Sequence, residues 1–150
     1  METDTLPELG LTCRLFTFDD HEMVNGWRKA HSYPEISRNI LPKLGVIVEQ
    51  ANPVPGEPAI PLASAHLYMD NSTPVCWPDW ITTRPGLLSG LARRAVRKAL
   101  AYFEFRIDGD YSIMVARCNG VIAREAEKIG FQRIADNQLV LAKTIVKERD

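Results

Sequence analysis

The strongest constraint on this chain is the order of its hydrophobic patterns, in which apolar, β-branched runs stand on both sides of a long amphipathic helix. From Gly86 to Phe103, Leu87, Leu91, Ala95, Leu100 and Phe103 recur near the helical period, and Arg93, Arg94, Arg97 and Lys98 occupy much of the rest; such a helix lays one face on a core. Upstream, Leu11 to Phe18 reads as a strand. Asp19 or Asp20 then suits the N-cap of a helix running through Met23, Val24 and Trp27 and ended by His31 to Pro34. Tyr33 to Pro42, punctuated by prolines, holds at most one more helical turn and is expected to be a mobile segment on the substrate side.

Leu44 to Glu49 and Leu62 to Met69 read as a hairpin around the proline-rich loop Asn52 to Pro61, and Val75 to Thr82 as the next strand. In the middle run Ala63, Ala65, Leu67 and Met69 share one face, and Ser64, His66 and Tyr68 share the other. One face can therefore be core while the other looks into a cleft. Pro78 cannot donate to a ladder, so the strand that carries it is expected to bulge or to lie at an edge near its middle. After the turn signal Asp108-Gly109 come a short strand, Tyr111 to Val115, and a helix, Asn119 to Ile129, with Gly130 as its C-cap. Phe131 opens the next core strand, and Leu139 to Ile145 closes the chain. This order is that of an α/β fold.

At 150 residues the chain fits one domain, 1–150, large enough to bury roughly two thirds of its unfolded surface. Hydrophobic residues at 45% and charged residues at 25% exclude a disordered or fibrous class. A net charge of -1 supplies no overall attraction to nucleic acid or membrane, which leaves only a local basic stripe for such contacts. Cys13, Cys76 and Cys118 are odd in number and widely spaced, so they are expected to be reduced thiols, with no metal site. The first ten residues carry Glu2, Asp4 and Glu8 and no apolar core, which is not a secretory signal, and no run reaches the length of a membrane span. A cytoplasmic location is the default expectation.

Two segments carry a resemblance. Asn119-Gly-Val-Ile-Ala-Arg-Glu-Ala-Glu-Lys-Ile-Gly-Phe131 resembles the closing motif of the GNAT N-acetyltransferases, where an asparagine, a helix and a Gly-Phe pair follow a strand. Thr83-Arg-Pro-Gly-Leu-Leu-Ser-Gly-Leu91 is similar to the family's turn between the fourth strand and the third helix, whose backbone N–H groups receive the pyrophosphate of acetyl-CoA. A helix start offers unpaired donors and a positive dipole end to a diphosphate. The resemblance implies a mixed, mostly antiparallel central sheet flanked by helices and splayed between the fourth and fifth strands. It also implies a cofactor site built from Trp80, Ile81, Thr82, Arg84, Gly86, Leu87, Leu88, Ser89, Gly90 and Asn119. Aligned on Gly86, the turn has Thr83 where the family has Gln or Arg, which Arg84 could replace, and Leu88 where it has Gly or Ala; the leucine is expected to crowd the phosphate.

Direct acetyl transfer needs a base for the amine, a polarised thioester and a proton for the leaving thiolate. The resemblance puts main-chain groups of Trp80, Ile81 and Thr82 at the thioester, and puts Ala126 where the family often has the tyrosine that protonates the thiolate. Tyr111 and Cys118 are substitutes by proximity to the fifth strand. Asp79, Glu49 and His66 with Tyr68 are candidates for the base, since strand residues on a cleft face can reach an amine; His66 has the most suitable ordinary pKa. The expected function is an acetyl-CoA-dependent N-acyltransferase working in a ternary complex on a small-molecule or peptide amine. Its rivals are a catalytically lapsed binding or regulatory domain and a base-modifying enzyme that would use the basic helix and Trp77 and Trp80 on nucleic acid. A homodimer through exposed strand edges is compatible with each.

Overall fold

The computed structural model describes residues 10–107, 111–117, 120–135 and 140–144. Among them, seven strands form a single sheet in the order β1-β2-β3-β4-β5-β7-β6. β1 (Leu11–Leu15), β2 (Leu44–Gln50), β3 (Ile60–Met69) and β4 (Val75–Thr83) pair antiparallel in sequence order. β5 (Ile113–Arg117) lies parallel to β4, and β7 (Val140–Thr144) joins β5 and β6 (Gln132–Ala135) antiparallel. The closing segment is thus a pair of strands, where the apolar pattern suggested one run after Phe131 and another near the end without relating them. The mixed, mostly antiparallel sheet flanked by helices is the expected α/β class.

The helices divide between the two faces. α2 (Ser89–Arg106) and α3 (Gly120–Lys128) cover one face, burying Ala95, Ala99, Leu100, Phe103, Ala123 and Ala126 against Val46, Val48, Ala63, Ala65 and Leu67. α1 (Asp20–Ala30) covers the other, where Val24 and Trp27 pack on Ile47. Alternation along β2 sends Val46 and Val48 to one layer and Ile47 to the other, as the two-residue period of a strand requires. An ion-pair corner fixes the start of α1: Arg14 forks onto the Asp20 carboxylate at 2.7 Å through both Nη groups and also pairs with Glu49. Burial raises the Asp20 pKa, but Arg14 and the Thr17 N–H outweigh it and hold the carboxyl below the usual range.

The segment after α1, expected to be mobile and to hold at most one helical turn, is tied to α1 by hydrogen bonds. Ile36 is buried, and Asn25 of α1 brackets its peptide: Ile36 N–H donates to Asn25 Oδ1 at 2.9 Å, and Asn25 Nδ2 donates to Ile36 O at 3.1 Å. A 3-10 turn, Arg38–Ile40, follows. The two prolines interrupt helix without releasing the chain, because a polar side chain on α1 supplies the backbone partners that helix would have given.

Candidate active site

The site arises from a break in the sheet. β4 and β5 pair only at Val75 with Ile113 and Cys76 with Met114, so β4 runs on from Trp77 to Thr83 with no β5 partner. Pro78 stands just past that last pair, where a missing N–H costs no ladder bond to β5. On its other edge β4 carries a bulge. Ser64 and His66 of β3 face Thr82 and Asp79, so three steps on β4 match two on β3, and Trp80 adopts φ +53°. A non-glycine residue there costs about 1–3 kcal/mol and persists only where its surroundings over-determine it. The surroundings here are specific: the indole N–H of Trp80 donates to Tyr68 Oη at 2.8 Å, Tyr68 Oη donates to Ile40 O at 3.0 Å, and Trp80 N–H donates to Asp79 Oδ1 at 2.7 Å. Trp77 stacks on Tyr68 from the neighbouring strand position.

Three cavities meet at this break. One of about 360 Å³ lies between Ile81 to Thr83 of β4, the first turns of α2 at Ser89, Ala92 and Arg93, and α3 at Val121, Ile122 and Glu125. Its volume is within the range of small-molecule sites. The unpaired N–H groups of the α2 start open beside it, since no side chain caps that end. Gly86 holds φ +81° in the turn before α2, and neither it nor Gly90 has any atom near where a Cβ would stand. A second cavity of about 280 Å³ lies on the α1 side, lined by Arg28, Tyr33, Asp79, Trp80 and Arg117 among others. Tyr33, Ile81 and Ile122 line both. The third, of about 420 Å³, fills the wedge between β4 and β5 and shares Pro78, Asp79 and Arg117 with the second. Among the described residues no cluster of side chains could hold a metal ion, and no helix is long and apolar enough to cross a membrane.

No family profile matches the chain, and no curated protein matches it in sequence. Solved structures do. The fold superposes on N-acetylglutamate synthase from Neisseria gonorrhoeae, crystallised with coenzyme A and L-arginine, at a TM-score of 0.67 and 16% identity over 93% of this chain. This chain spans only 34% of that synthase. The ribosomal-protein-S18-alanine N-acetyltransferase of Escherichia coli matches at a TM-score of 0.65 and 13% identity, covering 94% of this chain and 97% of the enzyme. Aminoglycoside acetyltransferase AAC(6')-Ib, in complex with coenzyme A and kanamycin, matches at 0.61 and 20% over 90% of this chain and 95% of its own. This chain has the GNAT fold.

Within that fold the residues singled out from the sequence fall in different places. Ile81, Thr82 and Ser89 line the 360 Å³ cavity beside α2, and Trp80 and Asp79 line the one of 280 Å³ next to it. Leu87 packs into the core, whereas Leu88 is 80% exposed at the N-cap of α2, so it does not crowd the turn. Arg84 is turned away, its guanidinium donating to Pro61 O at 3.2 Å. Asn119 and Cys118 lie outside the described residues, and Ala126 is fully buried under the sheet.

Three candidates for proton transfer are displaced from the cleft. The Tyr111 hydroxyl donates to Asp70 O at 3.0 Å, before the start of β4. It is therefore at the wrong end of the parallel pair, roughly 20 Å from Ile81 at the rise of a strand. Glu49 is taken up by Arg14 at the β1–β2 edge. His66 is 2% exposed, lying edge-on to Phe16 at 4.5 Å with both ring nitrogens unpartnered, and burial, with His21 adding to it, pulls its pKa down to about 4. Of the face that alternation assigned to a cleft, Ser64 and His66 are buried on the α1 side, and Tyr68 alone reaches the site through Trp80.

Sequence reasoning passed over Tyr33, Arg28, Arg117 and Glu125. Glu125 is 2% exposed on the wall of the 360 Å³ cavity, facing Arg97 and Lys128 at 3.0 Å each. Only the i,i+3 spacing of Glu125 and Lys128 hinted at it. The other three come together from α1, the segment after it and the end of β5, and no local pattern connects those.

Proposed function

We propose that this protein is an acetyl-CoA-dependent N-acyltransferase that moves the acetyl group directly to an amine in a ternary complex. The observation that carries the reading is the coincidence, at one break in the sheet, of a strained bulge at Trp80, an unpaired β4 edge and the uncapped start of α2. The GNAT-fold neighbours described with coenzyme A support it. Ser89 and the first N–H groups of α2 would receive the pyrophosphate, with Arg93 as a nearby cation. The free main-chain groups of β4 between Trp80 and Thr82 would hold the pantetheine arm and the thioester oxygen. Acetyl-CoA supplies a thioester whose C–S bond breaks as the amine nitrogen bonds to the carbonyl carbon.

The amine would enter through the Arg28–Asp79–Arg117 cavity. Asp79, exposed there and held through Oδ1 by the Trp80 N–H, accepts the proton that the amine loses. Tyr33 is the hydroxyl at the junction of both cavities and gives the thiolate its proton, in place of the tyrosine for which Ala126 stands. Melting with saturating acetyl-CoA, followed by release of free CoA thiol over an amine panel, tests this reading. Stabilisation and amine-dependent thiol release are expected; an unshifted melting curve would refute it. Tyr33→Phe should lower kcat about 10- to 100-fold with little change in cofactor binding.

Ala126 favours a second reading, a lapsed domain that binds CoA without turnover. Stabilisation by acetyl-CoA without thiol release on any amine is its signature.

A further inference from the structure

Arg28 is 8% exposed, yet among the described residues no carboxylate pairs with it. Its guanidinium has several fixed neighbours. Nε donates to Pro34 O at 2.8 Å, one Nη donates to Thr82 Oγ1 at 3.3 Å, and Cζ lies over the rings of Tyr33 and Trp80 at 5.5 and 5.3 Å from their centroids. Arg28 lines the 280 Å³ cavity with one Nη that makes no hydrogen bond among the described residues, and Arg117 supplies there a second guanidinium that makes no ion pair among the described residues. A charge removed from water without a counter-ion is costly, and an arginine fork fits a carboxylate. Asp79 opens into the same cavity at a distance beyond ion pairing, so the cavity presents two positive groups and one negative group, separated.

From this arrangement we infer that the acceptor is an amine that also bears a carboxylate, a free amino acid, with its carboxylate on Arg28 and Arg117 and its ammonium on Asp79. The inference rests on the acyltransferase reading for the amine's fate but not for its binding. Arg28 is thereby a specificity residue: it binds the acceptor through charge, and its anchoring by Pro34 O and Thr82 Oγ1 sets the distance from carboxylate to reacting nitrogen.

The test is binding, measured by calorimetry on the CoA-loaded protein, of the common amino acids and of their C-terminal amides, which keep the amine and lose the charge. At least one free acid is expected to bind about tenfold or more above its amide, the worth of one charge-assisted contact. Arg28→Gln should erase that difference, Arg28→Lys should restore part of it, and the melting shift with acetyl-CoA should persist in both. If Arg28→Gln does not fold, Arg117→Gln, at an exposed position, should reduce the acid-to-amide ratio on its own. Equal binding of acid and amide, binding of neither, or a preference for phosphoethanolamine over every amino acid overturns the assignment. A protein that is not stabilised by acetyl-CoA fails the acyltransferase reading instead; acid against amide is then compared on the free protein by the NMR shift of the Arg28 side chain.

Discussion

His66 shows how burial changes what a residue is for. Its ring fills the space that Gly45 leaves: a Cβ at that glycine would stand 2.6 Å from His66 Nε2 and 2.9 Å from Phe16 Cβ. Gly45→Ala should therefore destabilise the fold by about 1–3 kcal/mol through overpacking, measured by denaturant midpoint, and by less in a His66→Ala background, where the nearest atoms are gone. The folded pKa near 4 lies below the ordinary histidine value of 6.5. Between those pH values the unfolded chain binds a proton that the folded chain refuses, so stability is whole above the window and falls as pH drops through it, by up to about 3 kcal/mol. His66→Leu should flatten the melting temperature between pH 7 and pH 4.5; a slope as steep as that of the parent protein would assign the loss to other groups.

At the scale of elements, the start of α2 makes two opposite demands on one position. Gly90 stands in open space, so Gly90→Asp fits without a clash, and its carboxylate at a helix start should stabilise the helix by about 0.3–1 kcal/mol. The same carboxylate would repel a pyrophosphate. Higher melting temperature with coenzyme A affinity reduced about tenfold or more is the expected pair of results; unchanged affinity would move the phosphate elsewhere. α1 likewise holds more than its own turn. Asn25→Ala removes both bonds to the Ile36 peptide and should cost about 1–3 kcal/mol, together with faster hydrogen exchange from 33 to 42 and, through the segment that begins at Tyr33, a larger effect on kcat than on KM.

At the scale of the molecule, the break between β4 and β5 opens the sheet beside the cavity between β4, α2 and α3. A cofactor bridging β4, α2 and α3 at about 100 times its Kd should add about 2.7 kcal/mol, which for a chain of this size raises the melting temperature by roughly 5–10 °C. Protection should concentrate in Trp80 to Thr83 and the first turn of α2 rather than at β1.

Much of this was legible in sequence. The strands and helices, the β2–β3 hairpin and the bulge near Pro78 follow from local period and from the proline's missing N–H, which act over a few residues. The GNAT resemblance of Thr83 to Leu91 lay in one such local turn, and that turn does open a helix beside a cavity. What local pattern could not show is which face of β3 meets water, because α1 comes to roof His66 only through the packing of Trp27 and Val24 on Ile47. Nor could it show that Tyr111 lies at the far end of its strand pair, or that Arg28, Tyr33, Asp79 and Arg117 share a cavity, since they are brought together by the sheet order and the docking of α1 on the sheet. The sequence by itself determined the elements, through backbone preference and hydrophobic period. Only the tertiary structure decided the site, because burial, charge pairing and cavity shape depend on residues far apart in the chain.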